Sequence, residues 1–208
     1  LLESAKHTEF GQQYDFKSIR TYREFGKRVP ISTYENYHKL IERSRRGEQN
    51  IFWPKPIKWF AKSSGTTNAK SKFIPVSNAS LEDCHYAAGK DLLCMYFNNN
   101  PDSELFNGKN LRLGGSKELY EENGTVFGDL SAILIDNMPF WAEFSSTPSN
   151  KVSLMSDWES KMQAIVDETI NENVTSLAGV PSWMLVLLNN VLESTGKTNL
   201  LEIWPNLE

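Results

Sequence analysis

The sequence predicts a mixed α/β fold with a partly parallel sheet flanked by helices. Three observations carry that reading. The second half of the chain alternates short apolar runs with helical stripes, the order that builds a parallel sheet. An Asn123-Gly124 pair sits between Leu119-Tyr120 and Val126-Phe127, a hairpin signal that adds an antiparallel pair. Finally, 208 residues with 39% hydrophobic, 23% charged and 12% aromatic side chains describe a globular chain. A chain of this length buries roughly 70% of its unfolded surface without a staple.

The elements follow in order. Residues 1–60 read as a largely helical, charge-rich lead-in and residues 61–208 as the α/β portion. Thr21 to Phe25 forms one short helix. Ser32 reads as the N-cap of the next, with Glu35 as its capping-box partner, which puts Tyr34, Tyr37, His38 and Ile41 on one face. Pro54 and Pro56 break the chain. A helix after Ser80 carries the stripe Leu81, Cys84, Ala88, Leu92 and Met95, and Asn98 to Asp102 turns it. Leu111–Leu113 reads as a strand, and the apolar run Ala132–Ile135 as a buried strand. Asp157 caps a long helix with a buried stripe of Trp158, Met162, Ile165, Val166, Thr169 and Ile170. Glu159, Lys161, Asp167 and Glu168 form its solvated face. Val174–Ala178 is a strand. Pro181 opens a helix made nearly fully buried by Met184, Leu185, Leu187, Leu188, Val191 and Leu192, and Gly196 stops it. Leu200–Trp204 leads into a further strand.

Several function classes are excluded. The net charge is −4 and the pI about 5.5, so no nucleic-acid partner bound through bulk positive charge is expected. No apolar run approaches the roughly 18 residues of a membrane span, and no signal peptide opens the sequence. Cys84 and Cys94, on one helix, would lie about 15 Å apart, beyond the roughly 7 Å that a disulfide tolerates. A reducing, cytoplasmic setting fits. The sequons at Asn78, Asn123 and Asn173 would matter only in a secreted chain. His7, His38 and His85 are scattered, so no metal site is expected. There is no G-x-S-x-G elbow and no G-x-G-x-x-G turn. The chain starts at Leu1 and ends at Ile203-Trp204-Pro205-Asn206-Leu207-Glu208 without a terminating signal, which reads as part of something longer.

Chemistry concentrates in Lys62-Ser63-Ser64-Gly65-Thr66-Thr67-Asn68-Ala69-Lys70-Ser71-Lys72. Short hydroxyl side chains and a glycine let backbone N–H groups face an anion, and lysines supply charge for a polyphosphate. From Gln49 to Leu81 there is no Asp or Glu, but there are five lysines: Lys55, Lys58, Lys62, Lys70 and Lys72. The other 175 residues hold 17 basic and 26 acidic side chains, so the stretch is a cationic island in an acidic chain. The same composition also suits a solvated Ser/Thr-rich surface loop. A Walker A reading of Gly65 to Ser71 lacks the glycine before Lys70, where Ala69 stands. Phe52, Trp53, Trp59 and Phe60 interleave with Lys55, Lys58 and Lys62. That pattern suits either a single-strand nucleic-acid platform or aromatics packed on the core, and the acidic remainder favours the core.

Ser63-Ser64-Gly65-Thr66-Thr67 followed by Lys70-Ser71-Lys72-Phe73-Ile74-Pro75 resembles the phosphate loop of adenylate-forming enzymes. It is most similar to the auxin-responsive promoter (Gretchen Hagen) family of acyl acid-amido synthetases. Further stretches resemble the same family along the whole chain: Thr8–Gly11, Arg28–Ser32, Arg46-Gly47-Glu48, Leu113–Ser116, Gly128–Ser131 and Leu177–Trp183. The resemblance implies that residues 1–208 are a single, incomplete N-terminal part of the large adenylating domain. It also implies an ATP- and Mg²⁺-dependent ligase that converts a carboxylic acid to an acyl-adenylate and passes it to an amine such as an amino acid's. Ser63, Ser64, Gly65, Thr66 and Thr67 would hold the β- and γ-phosphates, and Lys72 would stabilise the pyrophosphate as it leaves. Lys70 would contribute to the outer field. Asn68 departs from the glycine of related enzymes. The family's later motifs would lie in a missing C-terminal half, so this part alone would not turn over. A non-catalytic nucleotide-binding or interaction module and a phosphate-loop NTPase are the alternative readings.

Overall fold

A computed structural model describes residues 1–63, 71–114 and 119–208, Trp141 by its backbone. In chain order the helices and strands run α1 (Leu2–Ala5), α2 (Glu9–Gln13), α3 (Tyr22–Arg28), α4 (Tyr34–Arg45), β1 (Trp59–Lys62), β2 (Phe73–Val76), α5 (Asn78–Ser80) and α6 (Ala87–Asn99). They continue with β3 (Lys109–Leu113), β4 (Tyr120–Glu122), β5 (Thr125–Gly128), α7 (Leu130–Asp136), α8 (Phe140–Phe144) and β6 (Ser146–Thr147). The last are α9 (Asn150–Ser153), α10 (Trp158–Thr169), β7 (Val174–Gly179) and α11 (Pro181–Thr195). Two compact units result: Leu1–Ala88 with Tyr120–Gly128, and Gly89–Leu119 with Asp129–Glu208.

The first unit carries a mixed sheet in the order β2-β1-β5-β4. β1 pairs antiparallel with β2 and parallel with β5, and β4 pairs antiparallel with β5. Pro75 is tolerated because β2 is an edge strand. The predicted hairpin forms: Asn123 and Gly124 take φ of 52° and 75°, the left-handed pair that a two-residue turn needs. The helices pack aromatic clusters, one around Ala5, Phe16 and Ile19, the other around Ile41, Ile57 and Phe60. Two of the resembling stretches do architectural work here. Thr8 caps α2 by accepting the Gly11 N–H at 3.0 Å. A Cβ on Gly11 would lie 2.0 Å from the Ala5 carbonyl oxygen. Arg43 clamps Glu9 with its two terminal guanidinium nitrogens (2.9 and 2.7 Å) and holds Glu48 through Nε (2.8 Å).

The second unit carries a fully parallel sheet in the order β6-β3-β7. Its core joins Leu111, Leu113 and Val174 of the sheet to Met162, Ile165 and Val166 of α10, Leu187 and Val191 of α11, and Trp204. As predicted, Asp157 caps α10 by accepting the Ser160 N–H (2.9 Å). Pro181 opens α11 and left-handed Gly196 (φ 65°) closes it. The mixed α/β class and the partly parallel sheet hold.

The structure corrects several details. Ala132–Ile135 is buried but helical, within α7. An apolar run this short does not distinguish a strand from a buried helix by periodicity, and the Asp129 carbonyl accepts the Ile133 N–H to start the turn (3.1 Å). The cap of α4 is Thr33 rather than Ser32. Asn36 Oδ1 accepts the Thr33 N–H at 2.8 Å, and the Ser32 hydroxyl donates to the Pro30 carbonyl. Leu200–Glu202 is a tight helical turn capped by Asn199, not a strand. α11 is buried on one face only, with Leu185 61% exposed. Of the stripe after Ser80, Leu81 is buried, but Leu92 and Met95 of α6 are exposed. Lys161, expected on the solvated face of α10, is fully buried. Its stem packs inside and its ammonium donates to the Ser153 carbonyl (2.7 Å) and the Gly114 carbonyl (3.4 Å).

Candidate functional site

The lysine- and hydroxyl-rich loop connects two paired strands. β1 and β2 run antiparallel with Lys62 opposite Phe73. Beyond that pair, Ser63 donates its N–H to the Lys72 carbonyl (2.8 Å), and the Lys72 N–H donates to Ser63 Oγ (3.2 Å). Ser63 and Lys72 therefore close the neck of a hairpin loop. Of the loop residues singled out by sequence, Ser64, Gly65, Thr66, Thr67 and Lys70 lie outside the described residues.

This geometry decides against a Walker loop. A Walker loop passes from a strand into a helix, whose N-terminal amides receive the phosphates. Here the residue after Lys72 opens strand β2. The aromatic stretch resolves as well. Phe60 is fully buried, and Phe52 and Trp53 pack onto the two aromatic clusters of the first unit. These three are therefore core, while Trp59, at the start of β1, is half-buried. Lys58 lies over the Trp59 ring at 5.7 Å.

Three side chains reach the neck that sequence reasoning missed. Lys72 Nζ pairs with Glu35 Oε1 at 3.2 Å and stands 5.1 Å from the centroid of the Tyr34 ring. Tyr34 Oη accepts the Phe73 N–H at 3.0 Å. The Arg45 guanidinium covers the Phe73 ring at 4.4 Å and faces Phe127 at 5.9 Å. The one-residue shift of the α4 cap matters here. With Thr33 as cap, Glu35 is the second helical residue rather than the capping-box partner, and its carboxylate is available to Lys72. Its own backbone N–H, the Thr33 side chain and Lys72 hold the Glu35 carboxyl below the usual carboxylate range. The acid-free stretch along the sequence thus meets an acid in space.

The second unit gathers two buried cations at the carboxyl end of β3. Besides Lys161, Arg112 is buried. Its guanidinium meets Asn150 Oδ1 and the Met138 sulfur, and its Nε finds no partner. Burial pushes the pKa of both groups down. Among the described residues no three His, Cys, Asp or Glu side chains converge as a metal site.

Comparison with known proteins follows the same lines. Jasmonoyl–L-amino acid synthetase JAR4 of Nicotiana attenuata is 28% identical over 142 residues, 67% of this chain and 24% of that protein. JAR6 of the same plant is 27% identical over the same length. The chain superposes on the structure of the AtGH3.15 acyl acid amido synthetase in complex with 2,4-DB with a TM-score of 0.75 at 22% identity. The match covers 93% of this chain and 34% of that one. A second GH3.15 structure gives 0.73 at 21% identity. The fold is therefore shared, and the chain spans about a quarter of the curated relatives and about a third of the solved structures it matches. The GH3 family N-terminal domain matches residues 1–208, the whole chain, and the chain belongs to that family.

Proposed function

We propose that this chain is the phosphate-binding N-terminal part of an ATP-dependent acid–amine ligase. The ligase would adenylate a carboxylic acid and transfer the acyl group to an amine such as an amino acid. The observation that carries the reading is the hairpin neck. It holds Ser63 and Lys72 backbone to backbone at the base of a loop rich in hydroxyls and lysines, inside a chain of the GH3 family. ATP is the substrate whose pyrophosphate departs when the carboxylate oxygen attacks the α-phosphorus. Mg²⁺, held on the triphosphate, would neutralise part of its charge. The donor set fits a polyphosphate: Ser63 offers a hydroxyl, Lys72 an ammonium, and the stretch around them holds no acid of its own.

Ser63, Ser64, Gly65, Thr66 and Thr67 bind the β- and γ-phosphates in this reading. Lys72 stabilises the negative charge that accumulates on the departing pyrophosphate, and Lys70 adds to the outer field. The remaining site residues come from the rest of the protein, so residues 1–208 alone bind phosphate but do not turn over. A cytoplasmic setting belongs to the proposal, supported by the two exposed free cysteines, Cys84 and Cys94.

The test is ATP–pyrophosphate exchange by the full protein that contains this chain, with a panel of carboxylic acids beginning with jasmonic acid and 2,4-DB. Lys72→Ala is expected to lower exchange by about 10²-fold or more, the scale of one lost transition-state contact. Lys70→Ala should cost much less. Acid-independent exchange, or a larger loss at Lys70, would refute the assignment.

A further inference from the structure

We infer that Tyr34 and Glu35, in the first turn of α4, are positioning residues that fix the ammonium of Lys72 at the neck of the loop. The inference rests on the adenylating reading above and extends it to a helix that lies outside the loop.

The Lys72 backbone is held by Ser63, through the pair of hydrogen bonds that closes the neck. Its side chain is held separately. A lysine carries four rotatable carbons and loses considerable freedom when its head must sit at one point. Here Glu35 accepts from the ammonium at 3.2 Å, and the Tyr34 ring lies 5.1 Å beneath it. Tyr34 is itself anchored, because its hydroxyl oxygen accepts the N–H of Phe73, the residue following Lys72. Backbone and side chain of the loop exit are thus referred to the same helical turn. An ammonium has three donors, so pairing with Glu35 leaves two for phosphate oxygens. A helix glutamate steadying a lysine at the phosphates is also how protein kinases place theirs.

The pair is too open to be a stability device. The Lys72 and Glu35 side chains are 42% and 68% exposed, and exposed ion pairs add little to folding. Glu35 variants therefore fold, and orientation is what they change.

The experiment is a double-mutant cycle in the full protein. Pyrophosphate exchange is followed with Mg·ATP varied and the most active acid of the panel saturating. Glu35→Gln should lower the exchange kcat by about tenfold with the KM for ATP moved less than about threefold, the cost of a misplaced catalytic group. Glu35→Asp should recover part of the loss. In a Lys72→Ala background Glu35→Gln should cost less than about twofold further, because the group it positions is gone. Equal losses in both backgrounds, a loss confined to KM, or faster exchange in Glu35→Gln would overturn the inference while the adenylating reading stands. Absence of exchange in the unmodified protein with every acid would overturn that reading first, and this inference with it.

Discussion

Replacing Lys161 by alanine tests the least expected feature of the fold. The side chain is fully buried, and its ammonium donates to the Ser153 carbonyl at 2.7 Å and the Gly114 carbonyl at 3.4 Å. Truncation removes three methylenes of buried stem, about 2.4 kcal/mol at 0.8 kcal/mol for each. It also strips the close Ser153 carbonyl of its donor, about 1–3 kcal/mol. The opposing gain is relief from holding an ammonium out of water, which is large in itself but already offset by those carbonyls. The net expectation is a loss of about 2–4 kcal/mol for Lys161→Ala. Lys161→Met keeps the stem volume and removes only the charged head, so it should cost less, about 0–2 kcal/mol, by the same two terms. The assay is urea unfolding of the full protein, with hydrogen exchange of the α10 amides to assign the loss to this unit. A neutral Lys161→Ala, or equal losses in the two variants, would show that the stem does not pack as described.

Three further outcomes are expected. Gly11→Ala should destabilise by about 1–3 kcal/mol or more, because its Cβ would meet the Ala5 carbonyl at 2.0 Å and backbone must move. Thermal melting checks it, and an unchanged midpoint would count against the close approach. Trp204→Phe should cost about 1–3 kcal/mol, since it leaves the Thr169 carbonyl without the indole N–H (3.0 Å) in a fully buried position. Chemical denaturation measures that cost. Acid should weaken the fold: Glu208 is held below its ordinary 4.5 by Ser103, the Glu104 N–H and Tyr96, and Asp157 below 3.8 by Ser160. For groups lowered on folding, the contribution is present above the unfolded value and is lost as pH falls through the folded one. Unfolding free energy should therefore decline below about pH 4.5, and less steeply in Glu208→Gln; identical pH profiles for the two proteins would refute that role.

The hairpin at Asn123-Gly124, the Asp157 cap and the Pro181-to-Gly196 helix were legible in the sequence, because each depends on backbone preferences within a few residues. The family was legible for the same reason. Its stretches are short and ordered, and several of them turn out to be local devices, such as the Thr8 cap on α2. The basic loop was visible as composition, and its neck at Ser63 and Lys72 fell where the β-strand pairing put it.

What only the tertiary structure decided are the pairings across distance. Glu35 and Lys72 are 37 positions apart, and a charge census along the chain separated them; a one-residue shift in the α4 cap and the packing of α4 beside β2 brought them together. Lys161 read as solvated because charge predicts water, but a long apolar stem can bury wherever carbonyls wait for its head. Ala132–Ile135 read as a strand because four apolar residues do not fix a period. Local sequence thus determined the caps, turns and family of this chain. Where charges and short apolar runs ended up depended on contacts between distant segments, which local preference does not encode.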